Sequence, residues 1–133
     1  MTNEEKFEYW LDHAQYDLDS AGSMFLSGRW FYVVFMCQQA IEKLVKGLYT
    51  LYVDDNVPHI HNIQSIFDHL EDKLAIKIQP ETYKMFGILS GYYIGNRYPD
   101  FENKADSIVT KDTAELLLKQ TREVFAWLLT LKK

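Results

Sequence analysis

Residues 35–49, Phe35-Met-Cys-Gln-Gln-Ala-Ile-Glu-Lys-Leu-Val-Lys-Gly-Leu-Tyr49, decide how this chain folds. Apolar residues recur through and around this stretch at intervals of three and four, which is the spacing of one face of an α-helix. The sequence therefore predicts a long amphipathic helix with one broad apolar face. The residues of that face are Val34, Cys37, Ile41, Leu44, Val45, Leu48 and Tyr52.

The same helix carries a row of polar side chains four positions apart, formed by Gln38, Glu42 and Lys46. Gln39 and Lys43 lie beside this row. The order of Glu42 before Lys46 favours an ion pair of about 0.2–0.5 kcal/mol on an exposed helix. Charged rows are usually solvated surface. The pattern alone leaves open whether this face meets water, a ligand cleft or a second subunit.

Length and composition limit the class of protein. A chain of 133 residues is expected to form a single domain over 1–133. Hydrophobic residues make up 47%, which excludes a disordered chain. Aromatic residues reach 15%, a surplus that subunit contacts would explain. The net charge of -5 argues against indiscriminate binding of polyanions.

The distribution of cysteine and apolar residues predicts a cytoplasmic protein. The single cysteine, Cys37, cannot form an internal disulfide and is expected to be buried in a reducing compartment. The longest apolar run, from Trp30 to Cys37, is far shorter than the roughly 20 residues that span a bilayer. The acidic N-terminus has no signal-peptide pattern. We expect no association with a membrane.

Helical periodicity and end signals predict five helices. Thr2 or Asn3 caps the first helix and Gly28 ends it, so the chain turns back at once and the first two helices form an antiparallel hairpin. The fold class is all-α, an up-and-down four-helix bundle with one additional short helix. The fourth helix is apolar nearly all round and is expected to be largely buried. The first predicted helix ends at about Ser27 and the second near Val53. The third runs from about Asn62 to Leu74, the fourth from Pro80, capped by Gln79, to about Ile94, and the fifth begins near Thr110.

The segment 95–109 has no periodicity, and loops of this length in compact domains are often functional. It contains Arg97, Tyr98 and Asp100. An arginine after a helix can simply pair with the last carbonyl groups. The alternative is that Arg97 binds phosphate, for which a guanidinium is well suited, while Tyr98 stacks on a base and Asp100 orients Arg97.

Histidines and common catalytic motifs give weaker signals. His59 and His61 form a His-x-His pattern that can start a metal site, but a third ligand is missing. We therefore predict no metal and assign these residues to capping of the next helix. His13 is expected to be solvated. Phosphate-loop, zinc and serine-hydrolase signatures are absent, and no cofactor is predicted.

Four blocks, in this order and covering most of the chain, resemble the HEPN domains, which are small helical bundles of bacteria and archaea. Their joint order and spacing make the resemblance specific. The blocks are Trp10, Ala14, Asp17-Leu18 and Ala21; Gly28-x-Trp30-Phe31 with Gln38-Gln39-Ala40-x-Glu42-Lys43-x-x-Lys46; Pro58-His59-Ile60-His61-Asn62-Ile63; and Tyr93 with Arg97-Tyr98-Pro99-Asp100.

The resemblance implies a helical bundle that dimerises, holds its site near the interface and works beside a minimal nucleotidyltransferase, often as a toxin–antitoxin pair. Many HEPN domains are metal-independent ribonucleases whose signature is an arginine followed, after four to six residues, by a histidine. Arg97 matches the arginine, but the histidine positions hold Glu102, Asn103 and Lys104. Metal-free cleavage normally needs a side chain that moves a proton near neutral pH. Glu102 is only a weak substitute.

We therefore predict a HEPN-like module that binds a nucleotide or RNA and pairs with a nucleotidyltransferase. Because the family's catalytic histidine is absent, the module is not expected to be catalytic by itself. One alternative is a metal-independent endoribonuclease toxin that uses Arg97 and Glu102. Another is a dimeric scaffold without a ligand. The predicted nucleotide- or RNA-binding residues are Arg97, Tyr98, Asp100, Glu42, Lys43 and Lys46.

Overall fold

The computed structural model describes residues 1–93 and 108–133, and within these ranges the chain is built from helices, with no strand. The predicted all-α fold is confirmed. Three helices are long and two are short. They are α1 (Asn3–Leu26), α2 (Trp30–Tyr52), α3 (Ile63–Leu74), α4 (Pro80–Ser90) and α5 (Lys111–Leu129).

The α1–α2 hairpin is fixed by its end groups, as the sequence predicts. The Thr2 side chain accepts a hydrogen bond from the Glu5 N–H, and the Glu5 side chain accepts one from the Thr2 N–H, which is a capping box. At the other end, Gly28 has a φ of 75°. Its N–H donates to the Phe25 carbonyl, while the next N–H, of Arg29, donates to Met24. This Schellman arrangement stops α1 and reverses the chain.

Small residues bring α1 and α2 close together. Ala14 and Ala21 of α1 are fully buried. On α2, a Cβ added to Gly47 would lie 2.9 Å from the Trp10 Cβ. Any larger residue at 47 would therefore push the two helices apart.

Helix α2 is the centre of the bundle, since all the other helices contact it. The residues predicted for its apolar face are buried, apart from the half-buried Tyr52. Cys37 is buried as expected, and its burial raises the pKa of the thiol to about 11.

The fourth and fifth helices begin where predicted. Pro80 is the first residue of α4, after Gln79, and Thr110 caps α5 by accepting a hydrogen bond from the Thr113 N–H. However, α4 ends at Ser90 rather than near Ile94, because the N–H groups of Gly91, Tyr92 and Tyr93 donate hydrogen bonds to carbonyl groups in the last turn of the helix.

The prediction that α4 is largely buried is wrong for one face. Ile88 is 43% exposed and Leu116 of α5 is 55% exposed. An open groove runs between these two helices, with Met85, Leu117 and Val124 also in its walls. An apolar side chain on α4 therefore does not always face the core.

Within residues 1–93 and 108–133, no helix is long and apolar enough to cross a membrane.

Candidate ligand-binding site

The polar row of α2 lies inside the protein. Gln38 is 0% exposed, Glu42 4% and Lys46 7%. The interpretation as a solvated face is therefore wrong. The row faces the start of α3, where His61 lies against Glu42. Sequence spacing shows which side chains share a helix face but not what covers that face.

Glu42 is the hub of this buried cluster. Its Oε1 accepts a hydrogen bond of 2.7 Å from the Gln38 amide, and its Oε2 accepts one of 3.0 Å from the Lys46 ammonium. His61 Nδ1 lies 3.0 Å from Oε2 and 3.2 Å from Oε1. Gln39 extends the network by donating to the Gln38 side-chain oxygen at 2.7 Å. Three donors, one of which (the Lys46 ammonium) is also the countercharge, compensate for burying the carboxylate.

His61 joins the buried cluster to the surface. A carboxylate only accepts hydrogen bonds, so the proton that His61 shares with Glu42 belongs to Nδ1. The ring stacks on Tyr93 with centroids 3.8 Å apart and an interplanar angle of 19°. The His61 side chain is 41% exposed. The site thus presents two stacked rings above a buried carboxylate.

Contacts between α3 and α4 hold these two rings together. The Ile63 N–H donates to the Ser90 hydroxyl at 3.1 Å, which ties the start of α3 to the end of α4. The Gln64 amide donates to the Tyr83 carbonyl at 2.8 Å. A Cβ at Gly87 would lie 2.8 Å from that amide nitrogen, so the absence of a side chain at 87 leaves room for the Gln64 amide in this position. Because His61 lies just before Ile63 and Tyr93 just after Ser90, the Ile63–Ser90 bond brings both rings to the same place.

The roles predicted for the loop histidines need correction. Asn62, and not His59 or His61, caps α3 by accepting a hydrogen bond from the Ser65 N–H at 3.0 Å. His61 instead contacts Glu42, and His59 is exposed. His13 is exposed, as predicted, with its ring beside Tyr9. Among the described residues, no three His, Cys, Asp or Glu side chains come together in a way that could hold a metal ion.

Lys43 does not join the Glu42 cluster. Its ammonium forms an ion pair of 2.6 Å with Asp17 of α1, and both side chains are largely buried. Lys43 therefore holds α1 against α2. Of the three α2 residues predicted for the site, the structure brings together only Glu42 and Lys46.

Four other candidate residues, Arg97, Tyr98, Asp100 and Glu102, lie outside the described residues. Their roles stay predictions. His61 and Tyr93 were not among the residues predicted for the site. Both occur in the blocks that resemble HEPN domains, which is the signal that could have identified them, but nothing in the sequence pairs His61 with Glu42, 19 positions away.

The sequence model of the HEPN domain matches residues 7–132. The chain belongs to the HEPN family. This HEPN domain also resembles two solved structures. TT1696 from Thermus thermophilus has 25% identity and a TM-score of 0.81, with 95% of this chain and 98% of that one covered. ST0689, an archaeal HEPN homologue, has 23% identity and a TM-score of 0.72, with 95% of this chain and 98% of that one covered. No curated protein matches the chain.

The buried cluster makes Glu42 a stability determinant of this HEPN domain. We expect Glu42→Leu to lower the free energy of unfolding by about 3–5 kcal/mol, because the Lys46 ammonium would stay buried without its countercharge. Urea unfolding followed by circular dichroism measures the change.

The matched control is Lys6→Met, which breaks the exposed Lys6–Asp55 pair. It should change stability by at most about 1 kcal/mol. A Glu42→Leu variant as stable as this control would contradict the assignment of Glu42 as the hub.

Proposed function

We propose that this HEPN domain binds a nucleotide or RNA at the surface formed by His61 and Tyr93 and is not catalytic by itself. One observation carries the proposal: a buried and fully bonded carboxylate, Glu42, holds an exposed imidazole that is stacked on a tyrosine. Aromatic faces of this kind bind bases by stacking, which is worth about 1–3 kcal/mol per base.

The energetics of the cluster support a role beyond folding. A buried ion pair such as Glu42–Lys46 is often no more stabilising than apolar residues of similar volume. Its effect here is to fix the position of His61. Such support is expected beneath a binding residue, whose rotamer must be held in place.

The predicted phosphate-binding residues follow closely in the chain. Arg97 comes four residues after Tyr93, a separation that an extended chain covers in at most about 14 Å. In this proposal Arg97 binds phosphate, Tyr98 stacks on a base and Asp100 orients Arg97. Lys46 and Glu42 act from beneath the surface, and Lys43 contributes by holding α1 in place.

The binding proposal is tested by fluorescence titration with labelled single-stranded RNA and with nucleotides. We expect saturable binding that Arg97→Ala weakens about tenfold or more, since it removes a charge-assisted hydrogen bond. Arg122→Ala, which removes the same charge from the exposed face of α5, is the matched control and should bind nearly as well as wild type. Equal binding by wild type and Arg97→Ala contradicts the assignment of Arg97, and the absence of any binding contradicts the function.

The Glu42–His61 contact also favours a second candidate, a metal-independent endoribonuclease. A carboxylate that holds one ring nitrogen of histidine leaves the other free to accept a proton, which is the arrangement of a general base. In this candidate His61 takes the place of the histidine missing after Arg97.

If this candidate is correct, RNA incubated with the protein and excess chelator will be cleaved, and His61→Asn will abolish cleavage. RNA recovered intact with wild type excludes it. His59→Asn, in the same loop, is the control for nuclease contamination.

Partners are part of the proposal. We propose a homodimer that pairs with a minimal nucleotidyltransferase as a toxin–antitoxin system in the cytoplasm. The exposed apolar residues Ile88 and Leu116 in the α4–α5 groove support an association surface. Affinity purification of the tagged protein from its own cells should recover a nucleotidyltransferase in stoichiometric amount. Recovery of this chain alone would contradict the pairing.

A further inference from the structure

The outer face of α1 carries a repeat that the functions proposed above do not use. A tyrosine followed three residues later by an aspartate occurs twice, seven residues apart, and the same spacing continues for one more heptad. A seven-residue repeat of this kind is typical of a helix that packs along a second helix. We call this row the outer seam of α1. Its six residues are Tyr9, Asp12, Tyr16, Asp19, Ser23 and Leu26.

No part of the described chain covers the outer seam. All six residues are exposed, Tyr9 to 59%, Tyr16 to 74% and Leu26 to 89%. Helix α1 packs on α2 through its opposite face, where Ala14 and Ala21 are fully buried. The repeat therefore contributes nothing to the core of this bundle, although it contains three large side chains.

The two tyrosines give the outer seam its contact area. They lie two helical turns apart, which separates them by about 10 Å along the axis of α1. The Tyr9 ring rests against the His13 ring with centroids 4.4 Å apart, so its position is partly fixed before any partner binds. Tyrosine is enriched at protein interfaces, where it supplies a large contact area at a low cost in conformational entropy.

The C-terminal end of the outer seam borders an open groove between α1 and α5. Asp19, Ser23 and Leu26 form part of its α1 wall. An apolar side chain of a partner helix can pack there on Leu26. The seam measures about 26 Å from Tyr9 to Leu26, which is nearly five turns of a helix. A single partner helix of ordinary length therefore matches it.

The charge of α1 indicates what kind of helix would bind. Six acidic residues and one basic residue lie on α1, so this helix alone carries the net charge of -5 found for the whole chain. Lys132 compensates two carboxylates near the start of α1. Among the described residues, no basic side chain pairs with Asp12 or Asp19. Lysine or arginine on a partner can pair with these carboxylates and lie over the tyrosine rings as a cation–π contact.

The same charge argues against other occupants. Uncompensated carboxylates repel the phosphates of nucleic acids and of anionic membranes. A second copy of this chain would bring two acidic helices together with like charges opposed, which disfavours association. A basic helix of a different protein is the occupant that the charge favours.

We infer that the outer seam of α1 binds a helix of a partner protein that carries lysine or arginine at seven-residue intervals. The basic side chains of the partner pair with Asp12 and Asp19 and cover the rings of Tyr9 and Tyr16. This inference involves neither His61 nor its neighbours and is independent of the proposed binding of a nucleotide or RNA.

The test uses a synthetic probe, a fluorescently labelled alanine-rich peptide of about 20 residues, long enough to form a helix. Its lysines and leucines each recur every seven residues. The control peptide has the same composition, but its lysines recur every five residues and do not share one helix face. We expect fluorescence anisotropy to show saturable binding of the first peptide, weakened by added salt, and binding of the control peptide that is at least about fivefold weaker.

Two double variants of the protein locate the contact. Tyr9→Ala with Tyr16→Ala should weaken binding of the first peptide about fivefold or more, since both cation–π contacts are lost. Asp12→Asn with Asp19→Asn should weaken it about threefold or more through the loss of two ion pairs. Both variants change only exposed side chains, and circular dichroism checks that the fold is kept.

The matched control is Asp72→Asn with Glu81→Gln, which removes two exposed carboxylates from α3 and α4. It should bind the first peptide as wild type does. Weakening equal to that of the Asp12→Asn, Asp19→Asn variant would show a general effect of charge and would overturn the inference.

The remaining outcomes also decide the question. The inference is wrong if no peptide binds, if both peptides bind equally, or if the double tyrosine variant binds as wild type does. If that variant instead converts a dimer of this chain into a monomer in light scattering, the occupant is a second copy and the inference is again wrong. None of these measurements contains a nucleotide, so its failure leaves the proposed function untouched.

Discussion

The structure depends on the burial of one carboxylate. Glu42 lies in the middle of the central helix, and its position inside the bundle is possible only because Gln38, Lys46 and His61 all donate to it. Two of these donors come from α2 itself, at four residues before and after Glu42, so the helix supplies most of the compensation. The third comes from His61, in the loop two residues before α3. Burial of the carboxylate therefore requires the segment before α3 to approach α2 at Glu42. The same contact that stabilises the buried carboxylate also fixes the position of the His61 ring at the surface.

The α1–α2 hairpin and the α3–α4 pair have different roles around this point. Helix α1 covers one side of α2, and the two pack closely at Ala14 and Ala21 of α1 and at Gly47 of α2. The short helices α3 and α4 cover another side. The hydrogen bond from the Ile63 N–H to the Ser90 hydroxyl holds the start of α3 against the end of α4. As a result, the half-buried rings of His61 and Tyr93 are positioned by the His61–Glu42 and Ile63–Ser90 hydrogen bonds and not by a long helix of their own.

Local signals in the sequence were enough to predict most of the fold. The caps at Thr2 and Thr110, the turn at Gly28 and the proline that starts α4 depend on residues close in the chain, and periodicity alone located the apolar face of α2. The site was harder to predict because it depends on contacts between distant residues. The row of Glu42 and Lys46 has the pattern of a solvated face, and its burial comes from the packing of α3. Likewise, the sequence pattern of α4 gave no sign that Ile88 faces an open groove, since exposure depends on how far α5 lies from α4. Membership of the HEPN family supports the fold, while function must be argued from the site itself.

The central claim is that Glu42 fixes the proton of His61 on Nδ1 and leaves Nε2 free for a ligand. The most direct test is a long-range ¹H–¹⁵N correlation spectrum of the ¹⁵N-labelled protein, recorded where the imidazole is neutral, with His61 assigned from the signal that His61→Asn removes. We predict the pattern of the Nδ1–H tautomer in wild type and its loss in Glu42→Leu, which has no acceptor at this position. A ring protonated on Nε2, or one that exchanges freely between the two forms, would contradict this account of the site.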